Sequence, residues 1–210
     1  MSFLLAHLSD PHLAPLPRPA IRELASKRVL GYLNWRRGRD EIHRADILFS
    51  LIDDLAARNP DHIAVTGDLT NLALDAEFAA AAAWLERLGP PEKVTVIPGN
   101  HDAYVKGALE RGLRIWAPYV SSEREAPRRP LADLFPTHRR LGNIALVGVS
   151  TAISTGPFMA TGRVGGRQLV KLADDLVGLS REGLFRIVLL HHPLFVTRRH
   201  WAKRLLDAGA

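Results

Sequence analysis

Short apolar segments alternate with amphipathic segments along this chain. The apolar segments predict strands at residues 3–8, 63–65, 94–97, 143–149 and 185–190. Helices are predicted at residues 40–58, 75–88, 104–118 and 169–179, mostly because apolar residues recur there at helical spacing. Strands and helices that alternate in this way are typical of a parallel sheet with right-handed crossovers.

The apolar run from Ile63 to Val65 predicts a buried strand. It lies between Pro60 and Gly67, and a short run bounded in this way is typical of a parallel strand covered on both faces. Asp68 follows just past the carboxyl end of this strand. In open α/β sheets ligands bind at that edge, because its loops carry polar groups while the strands hold them rigidly. Asp68 is therefore predicted to belong to a functional site.

Three other predicted strands also end in residues that can bind metal ions. The polar residues that follow them are Asp10 and His12, then Asn100, His101 and Asp102, and finally His191 and His192. Four of the nine histidines lie in these blocks, more than an even scatter would place there. The pattern predicts that these side chains converge at one rim of the strands.

The composition excludes several kinds of protein and of metal site. At 210 residues the chain fits one domain, residues 1–210, with a sizeable core. It has no cysteine, which excludes disulfides and thiolate-bound metals, so nitrogen and oxygen atoms must hold any metal. The first apolar run is broken by His7 and Asp10, and therefore predicts neither a signal peptide nor a membrane span. We expect a cytoplasmic protein.

The net charge of +6 comes mainly from scattered arginine pairs. Such pairs commonly keep a domain soluble, and attraction of an anionic substrate is the alternative interpretation. Without a basic stripe interleaved with aromatic residues, we expect no specific nucleic-acid partner. The sequence makes no prediction of the oligomeric state.

Two loops and one helix are predicted near the polar blocks. Three prolines within residues 15–19 exclude a helix there and predict an extended loop that borders the site. A loop rich in glycine and threonine follows residue 149 and should pass near the site. Residues 21–35 predict a short helix that ends near Gly31, packed against the body in preference to forming a substrate lid. After the helix predicted at residues 104–118, an irregular segment rich in arginine and proline is predicted to about Pro136.

The four polar blocks together resemble those of the calcineurin-like metallophosphoesterase superfamily. They are Asp10-x-His12, Gly67-Asp68-x-x-Asn71, Gly99-Asn100-His101-Asp102 and His191-His192-Pro193. The third block and the short proline-rich loop look most like the class III cyclic-nucleotide phosphodiesterase branch. The resemblance implies an α/β fold, a two-sheet α/β/β/α sandwich. It also implies that metal-activated water hydrolyses a small phosphodiester or phosphomonoester, such as a cyclic nucleotide.

The resemblance further implies a site with two divalent metal ions. Asp68 matches the ligand that bridges the two ions. Asp10 and His12 match ligands of the first ion, and Asn100 and His191 match ligands of the second. Mixed imidazole and oxygen ligands favour manganese, iron, cobalt or zinc over calcium.

The remaining residues of the blocks match supporting or catalytic positions. His101 matches a catalytic histidine, which would donate a hydrogen bond or a proton to the oxygen that leaves phosphorus. Asp102 is predicted to orient His101. Asn71 and His192 are predicted to support the ligands from outside the ligand set.

The chain departs from the superfamily pattern after the paired histidines. Members normally continue with a Gly-His-x-His motif, which is absent between Pro193 and Ala210. We therefore expect a C-terminally incomplete member that lacks the last strands of the sandwich, binds metal weakly and tends to self-associate. The alternatives are an inactive truncated homologue and an SbcD-like nuclease. The related UDP-diacylglucosamine hydrolases carry arginine where His101 stands.

Overall fold

The computed structural model of the chain describes residues 3–120, 134–196 and 198–209. Most of the irregular segment predicted up to Pro136 lies outside these residues. The described strands form two three-stranded sheets that share a core, and helices cover their outer faces. The predicted two-sheet α/β sandwich is confirmed.

The first sheet is parallel and has the strand order β1-β2-β3. Its strands are β1 (Leu5–Leu8), β2 (His62–Thr66) and β3 (Val94–Ile97). Every residue of β2 and β3 is buried, as expected of strands that are covered on both faces. Because all three strands run in the same direction, their carboxyl ends lie along one edge.

Seven described α-helices lie between the strands of the first sheet or between β3 and the second sheet. They are α1 (Ile21–Leu24), α2 (Arg28–Asn34), α3 (Asp40–Ile42), α4 (Ala45–Arg58), α5 (Asp75–Leu88), α6 (Ala108–Ile115) and α7 (Ala117–Val120). Ile52 and Leu55 of α4 and Phe78 of α5 are buried, as their helical spacing predicted. Ile42 and Phe49, which share that spacing, are exposed. The helix predicted from residue 40 is interrupted, because His43 and Arg44 leave the helical conformation. None of the described helices combines the length and hydropathy that a bilayer span requires.

The second sheet combines antiparallel and parallel pairing. Its strands are β4 (Thr137–Leu141), β5 (Ile144–Gly148) and β6 (Phe185–Leu189), with β4 antiparallel and β6 parallel to β5. Leu189 joins the core of the first sheet, whereas α8 (Gly166–Arg181) packs Leu179 on the other face. A 3-10 helix (Arg198–Lys203) follows. The sequence pattern missed β4, because this edge strand is mostly polar.

The helix α2 passes through Gly31, where the sequence predicted its end, and continues into a π-helical turn (Trp35–Arg39). Gly31 lies so close to the side chains of Leu72 and Tyr104 that a Cβ atom would overlap both. Glycine therefore allows α2 to approach the loop after β2 and does not end the helix. Arg28 strengthens this contact by donating from Nε to the carbonyl of Leu72 at 2.8 Å.

His62 offers a test of how burial affects stability. It is fully buried in β2, and its Nε2 lies 2.7 Å from the hydroxyl of Thr95. Burial, assisted by the charge of Arg139, lowers the pKa of His62 from 6.5 to about 4. The pKa of His62 is thus lower in the folded than in the unfolded protein. Its contribution to the free energy of unfolding is therefore present above pH 6.5 and is lost as the pH falls through 4.

We predict that acidification from about pH 7 to about pH 4 costs the wild-type protein roughly 3 kcal/mol more unfolding free energy than it costs His62→Gln. Glutamine keeps a polar partner for Thr95 but does not titrate. Urea unfolding at each pH measures the difference. Parallel stability losses in the two proteins would contradict this role of His62.

Candidate metal centre

The four polar blocks meet at the carboxyl edge of the first sheet. Asp10 follows β1, Asp68 follows β2, Asn100 and His101 follow β3, and His191 follows β6. Although β6 belongs to the second sheet, its end reaches the same edge. Nδ1 of His191 lies 2.7 Å from the carbonyl oxygen of Thr66, the last residue of β2.

Main-chain hydrogen bonds join the loops after β1 and β2. The N–H of Asp10 donates to the carbonyl of Gly67 at 3.2 Å, and the N–H of His12 donates to the carbonyl of Asp68 at 3.0 Å. Asp10, His12 and Asp68 have φ values of 54°, 40° and 56°. Such left-handed conformations are uncommon outside glycine and cluster at functional sites. The fold therefore holds these three side chains in orientations that a regular strand does not offer.

Two glycines let the loops after β2 and β3 come into contact. A Cβ atom on Gly99 would overlap the carboxylate of Asp68 and lie 2.8 Å from Cε1 of His191. A Cβ atom on Gly67, which has a φ of 86°, would overlap the backbone of Gly99. Both positions therefore require glycine if the side chains around Asp68 are to converge.

Asp68 is shared by two groups of possible metal ligands. One group contains His12, Asp68 and His101, and the other contains Asp10, Asp68 and His191, with the ligand atoms of each group within 4.8 Å of one another. The amide oxygen of Asn100 lies 3.2 Å from Nε2 of His191 and extends the second group. The predicted ligands Asp10, His12, Asp68, Asn100 and His191 therefore lie together at this edge.

The environment of His12 suits a cation. Its Nδ1 donates to the carbonyl of Thr70 at 3.2 Å, so its Nε2 is left 3.7 Å from Oδ2 of Asp68. Burial, together with nearby His101 and Arg39, lowers the pKa of His12 to about 2, so its ring is neutral. A lone pair then faces a carboxylate oxygen, and two such acceptors repel each other unless a cation lies between them.

His191 presents a second nitrogen to the same carboxylate. Its Nδ1 donates to the carbonyl of Thr66, which leaves Nε2 3.6 Å from Oδ2 of Asp68. Burial raises the pKa of Asp68, because its charge is poorly solvated, whereas the charge of His191 and the N–H of His101 oppose that increase. A metal ion between these groups would stabilise the ionised carboxylate. The chemistry and placement of these atoms therefore fit a metal centre.

Asn71, and not Asp102, orients the ring of His101. Nδ1 of His101 donates to the main-chain carbonyl of Asn71 at 2.6 Å, and this bond fixes the ring with Nε2 free. The prediction that Asp102 orients His101 is therefore wrong. A main-chain carbonyl can perform this task as well as a carboxylate, and the residue type at position 71 does not reveal it.

The buried carboxylate of Asp102 binds backbone groups from two loops instead. It accepts from the N–H groups of Asp68 and Gly99 at 2.9 Å and from the N–H of Thr70 at 3.0 Å. The hydroxyl of Thr70 lies 3.0 Å from the same carboxylate. Burial raises the pKa of Asp102, and these donors oppose that increase. Asp102 is thus a positioning residue that joins the loops after β2 and β3.

Asn71 and Glu77 hold the rest of the loop after β2. The side-chain amide of Asn71 donates to the carbonyl of Leu13 at 3.0 Å, which connects this loop to the proline-rich segment. The buried carboxylate of Glu77 accepts from the N–H groups of Asn71, Leu72 and Leu74. Sequence reasoning missed Glu77, although its place in the first turn of α5 is typical of a capping carboxylate.

His192 supports the cavity wall and has no nitrogen left for a metal. Its Nδ1 accepts from the hydroxyl of Thr151 at 2.6 Å, and its Nε2 donates to the carbonyl of Ala160 at 3.0 Å. Its ring also packs so closely on Gly162 that a Cβ atom there would overlap it. His192 therefore fixes the loop between β5 and α8 beside the metal centre.

A cavity of about 810 Å³ lies over these residues. Its walls include Gly31 and Asn34 of α2, Arg39 of the π-helical turn, and Thr155 and Met159 of the loop after β5. This loop was predicted to pass near the site, as it does. The helix α2, in contrast, was predicted only to pack against the body, and it both packs there and forms a wall of the cavity.

Several residues around His12 were also missed. Its ring centroid lies 4.8 Å from that of His43, which stacks on Trp35 at 5.5 Å. Nη2 of Arg39 lies 3.3 Å from Nε2 of His43. The arginine run at residues 36–39 looks like solvated surface in the sequence, so no local signal separated Arg39 from its neighbours.

Comparison with known proteins identifies one family. The family of calcineurin-like phosphoesterases matches residues 3–208, which is nearly the whole chain. The search of curated proteins found no match to this chain.

We predict that Asp102→Asn destabilises the protein by about 3 kcal/mol, because an amide NH₂ would replace an acceptor among backbone N–H donors. Urea unfolding with a chelator present measures this loss independently of metal binding. Asp53→Asn, an exposed substitution on α4, is the matched control and should leave stability nearly unchanged. Unaltered stability of Asp102→Asn would contradict the positioning role.

Proposed function

Because the chain belongs to the calcineurin-like phosphoesterase family, we propose that it hydrolyses a small phosphodiester or phosphomonoester at a site for two divalent ions. The observation that carries the proposal is the convergence of possible metal-ligand atoms on Asp68. Nε2 of His12 and Nε2 of His191 lie 3.7 and 3.6 Å from the same carboxylate oxygen. Bound cations would be coordinated by these nitrogens and by the carboxylate of Asp68.

We assign Asp68 as the ligand that both ions share. His12 belongs to one of the two groups that share Asp68, Asp10 and His191 belong to the other, and Asn100 lies beside His191. Mixed imidazole and oxygen donors suit manganese, iron, cobalt or zinc. Divalent ions at such a site polarise a phosphoryl oxygen and lower the pKa of water to about 7.

His101 is proposed to protonate the oxygen that leaves phosphorus. Its Nδ1 is held by Asn71, so Nε2 is the nitrogen left for the substrate. Burial lowers the pKa of His101, and its ring is therefore neutral before substrate binds. The negative charge of a bound phosphoester would raise this pKa and allow Nε2 to carry the proton.

The cationic side chains of the cavity are proposed to attract the phosphoester. Lys27 and Arg39 line the cavity with the ligand residues, and opposite charges increase the local concentration of an anionic substrate. A preference for cyclic nucleotides remains a prediction from the sequence. So do the alternatives of an inactive, weakly metal-binding homologue and of an SbcD-like nuclease.

Hydrolysis of aryl phosphates tests the reaction class. We predict that the protein with added Mn²⁺ releases p-nitrophenolate from bis(p-nitrophenyl) phosphate or p-nitrophenyl phosphate, and the ratio of the two rates distinguishes a diesterase from a monoesterase. A chelator should abolish the release, and fresh Mn²⁺ should restore it. Stoichiometric Mn²⁺ binding without hydrolysis of either compound would contradict the proposed reaction and favour an inactive homologue.

Two substitutions distinguish the proposed metal ligand Asp68 from the proposed proton donor His101. We predict that Asp68→Ala loses both metal and activity, whereas His101→Ala keeps its metal and loses about 10²-fold or more in kcat. Metal analysis by mass spectrometry and steady-state kinetics provide the two measurements. His138→Gln is the matched control, since His138 of β4 lies 3.0 Å from Asp175 of α8 and does not line the cavity. Equal metal loss in the first two variants would instead make His101 a ligand, as its place beside His12 allows.

A further inference from the structure

Three large apolar side chains line the cavity and are also exposed to solvent. Leu30 and Leu33 of α2 are 43% and 46% exposed, and Phe158 of the opposite wall is 91% exposed. Single exposed apolar residues are ordinary, but these three belong to one cavity above the metal centre. Their shared position indicates that the cavity wall binds something apolar.

The backbone at Phe158 supports this interpretation. Its φ of 61° is a left-handed conformation, which is unfavourable for an aromatic residue and is ordinarily left to glycine. Because its ring is almost fully exposed, packing of the ring within the described structure does not compensate for the strain. A strained residue that presents an aromatic ring to a cavity is expected where the ring contacts a ligand.

The cationic residues of the cavity complement an anionic group. Lys27, Arg37, Arg39 and Lys203 line it together with the proposed metal ligands. Nζ of Lys27 donates to the carbonyl of Thr155 at 2.7 Å and lies 4.4 Å from the ring centroid of Tyr104, so it bridges the two walls. The cavity therefore combines apolar side chains with positive charge and metal-binding groups.

We propose, on the basis of the phosphoesterase function proposed above, that the substrate is an amphiphilic phosphoester with an alkyl or acyl chain. The phosphoester binds at the metal centre, and the chain contacts Leu30, Leu33 and Phe158. A cavity of about 810 Å³ lies within the range of small-molecule sites and exceeds what a small phosphoester alone would fill.

Two synthetic phosphodiesters test the proposal: p-nitrophenyl ethyl phosphate and p-nitrophenyl decyl phosphate, each below its micelle-forming concentration and with Mn²⁺. Burial of one methylene is worth roughly a fourfold gain in binding, so two or three buried methylenes predict a kcat/KM about 15- to 60-fold higher for the decyl ester. Equal kcat/KM values would overturn the amphiphilic substrate and leave the phosphoesterase function intact.

Variants of the cavity wall test which residues cause the preference for the decyl ester. Leu33→Ser and Phe158→Gly should lower the ratio of decyl to ethyl kcat/KM toward one. Phe158→Gly should do so without loss of stability, because glycine relieves the strained φ. Val29→Ser is the matched control, since Val29 is 40% exposed on the same helix but does not line the cavity. If both cavity variants keep the preference for the longer chain, the alkyl chain does not bind Leu33 and Phe158, and the proposed contact is wrong.

Binding measurements keep the proposal testable if neither ester is hydrolysed, a result that would count against the phosphoesterase function. Calorimetry would then compare ethylphosphonate with decylphosphonate in the presence of Mn²⁺. Tighter binding of decylphosphonate, lost in Leu33→Ser, would support an amphiphilic ligand, and equal affinities would overturn it. A chain-length effect that appears only with phosphatidylcholine vesicles would also overturn it, because it would show that the apolar residues bind a membrane surface.

Discussion

The buried carboxylate of Asp102 is the contact on which the metal centre depends. It accepts hydrogen bonds from the backbone of Asp68, Thr70 and Gly99, and so ties together the loops that follow β2 and β3. Buried backbone N–H groups must be paired, and a single carboxylate pairs three of them here. Asp102 thereby holds the loops in left-handed and glycine-dependent conformations, which place Asp68 beside His12 and His191.

This construction gathers several possible metal-ligand atoms around Asp68. The histidines donate their Nδ1 protons to main-chain carbonyls, which directs Nε2 of His12 and of His191 toward Asp68. Metal binding would therefore contribute to the stability of these loops as well as to chemistry. The same main-chain bonds select the tautomer of each ring, a role that carboxylates often perform in metal sites.

The cavity above the centre joins elements that are far apart in sequence. The helix α2 is anchored to the loop after β2 through Arg28, and the opposite wall is fixed through His192. Lys27 then connects the two walls above the ligands. The shape and charge of the cavity thus depend on the packing of α2 and of the loop after β5. Substitutions in these two segments are therefore expected to change its substrate preference.

The sequence by itself determined five of the six described strands, most of the long helices and the residues that meet at the sheet edge. It could do so because hydrophobic periodicity is local, and because parallel strands necessarily bring their carboxyl ends to one edge. Only the tertiary structure decided that Asn71 orients His101, that Asp102 joins two loops, and that Arg39 faces the site. Those roles depend on loop conformation and on contacts between distant segments, which residue type does not encode. The polar strand β4 was missed for a related reason, since its place in the sheet comes from pairing with β5 and not from an apolar pattern of its own.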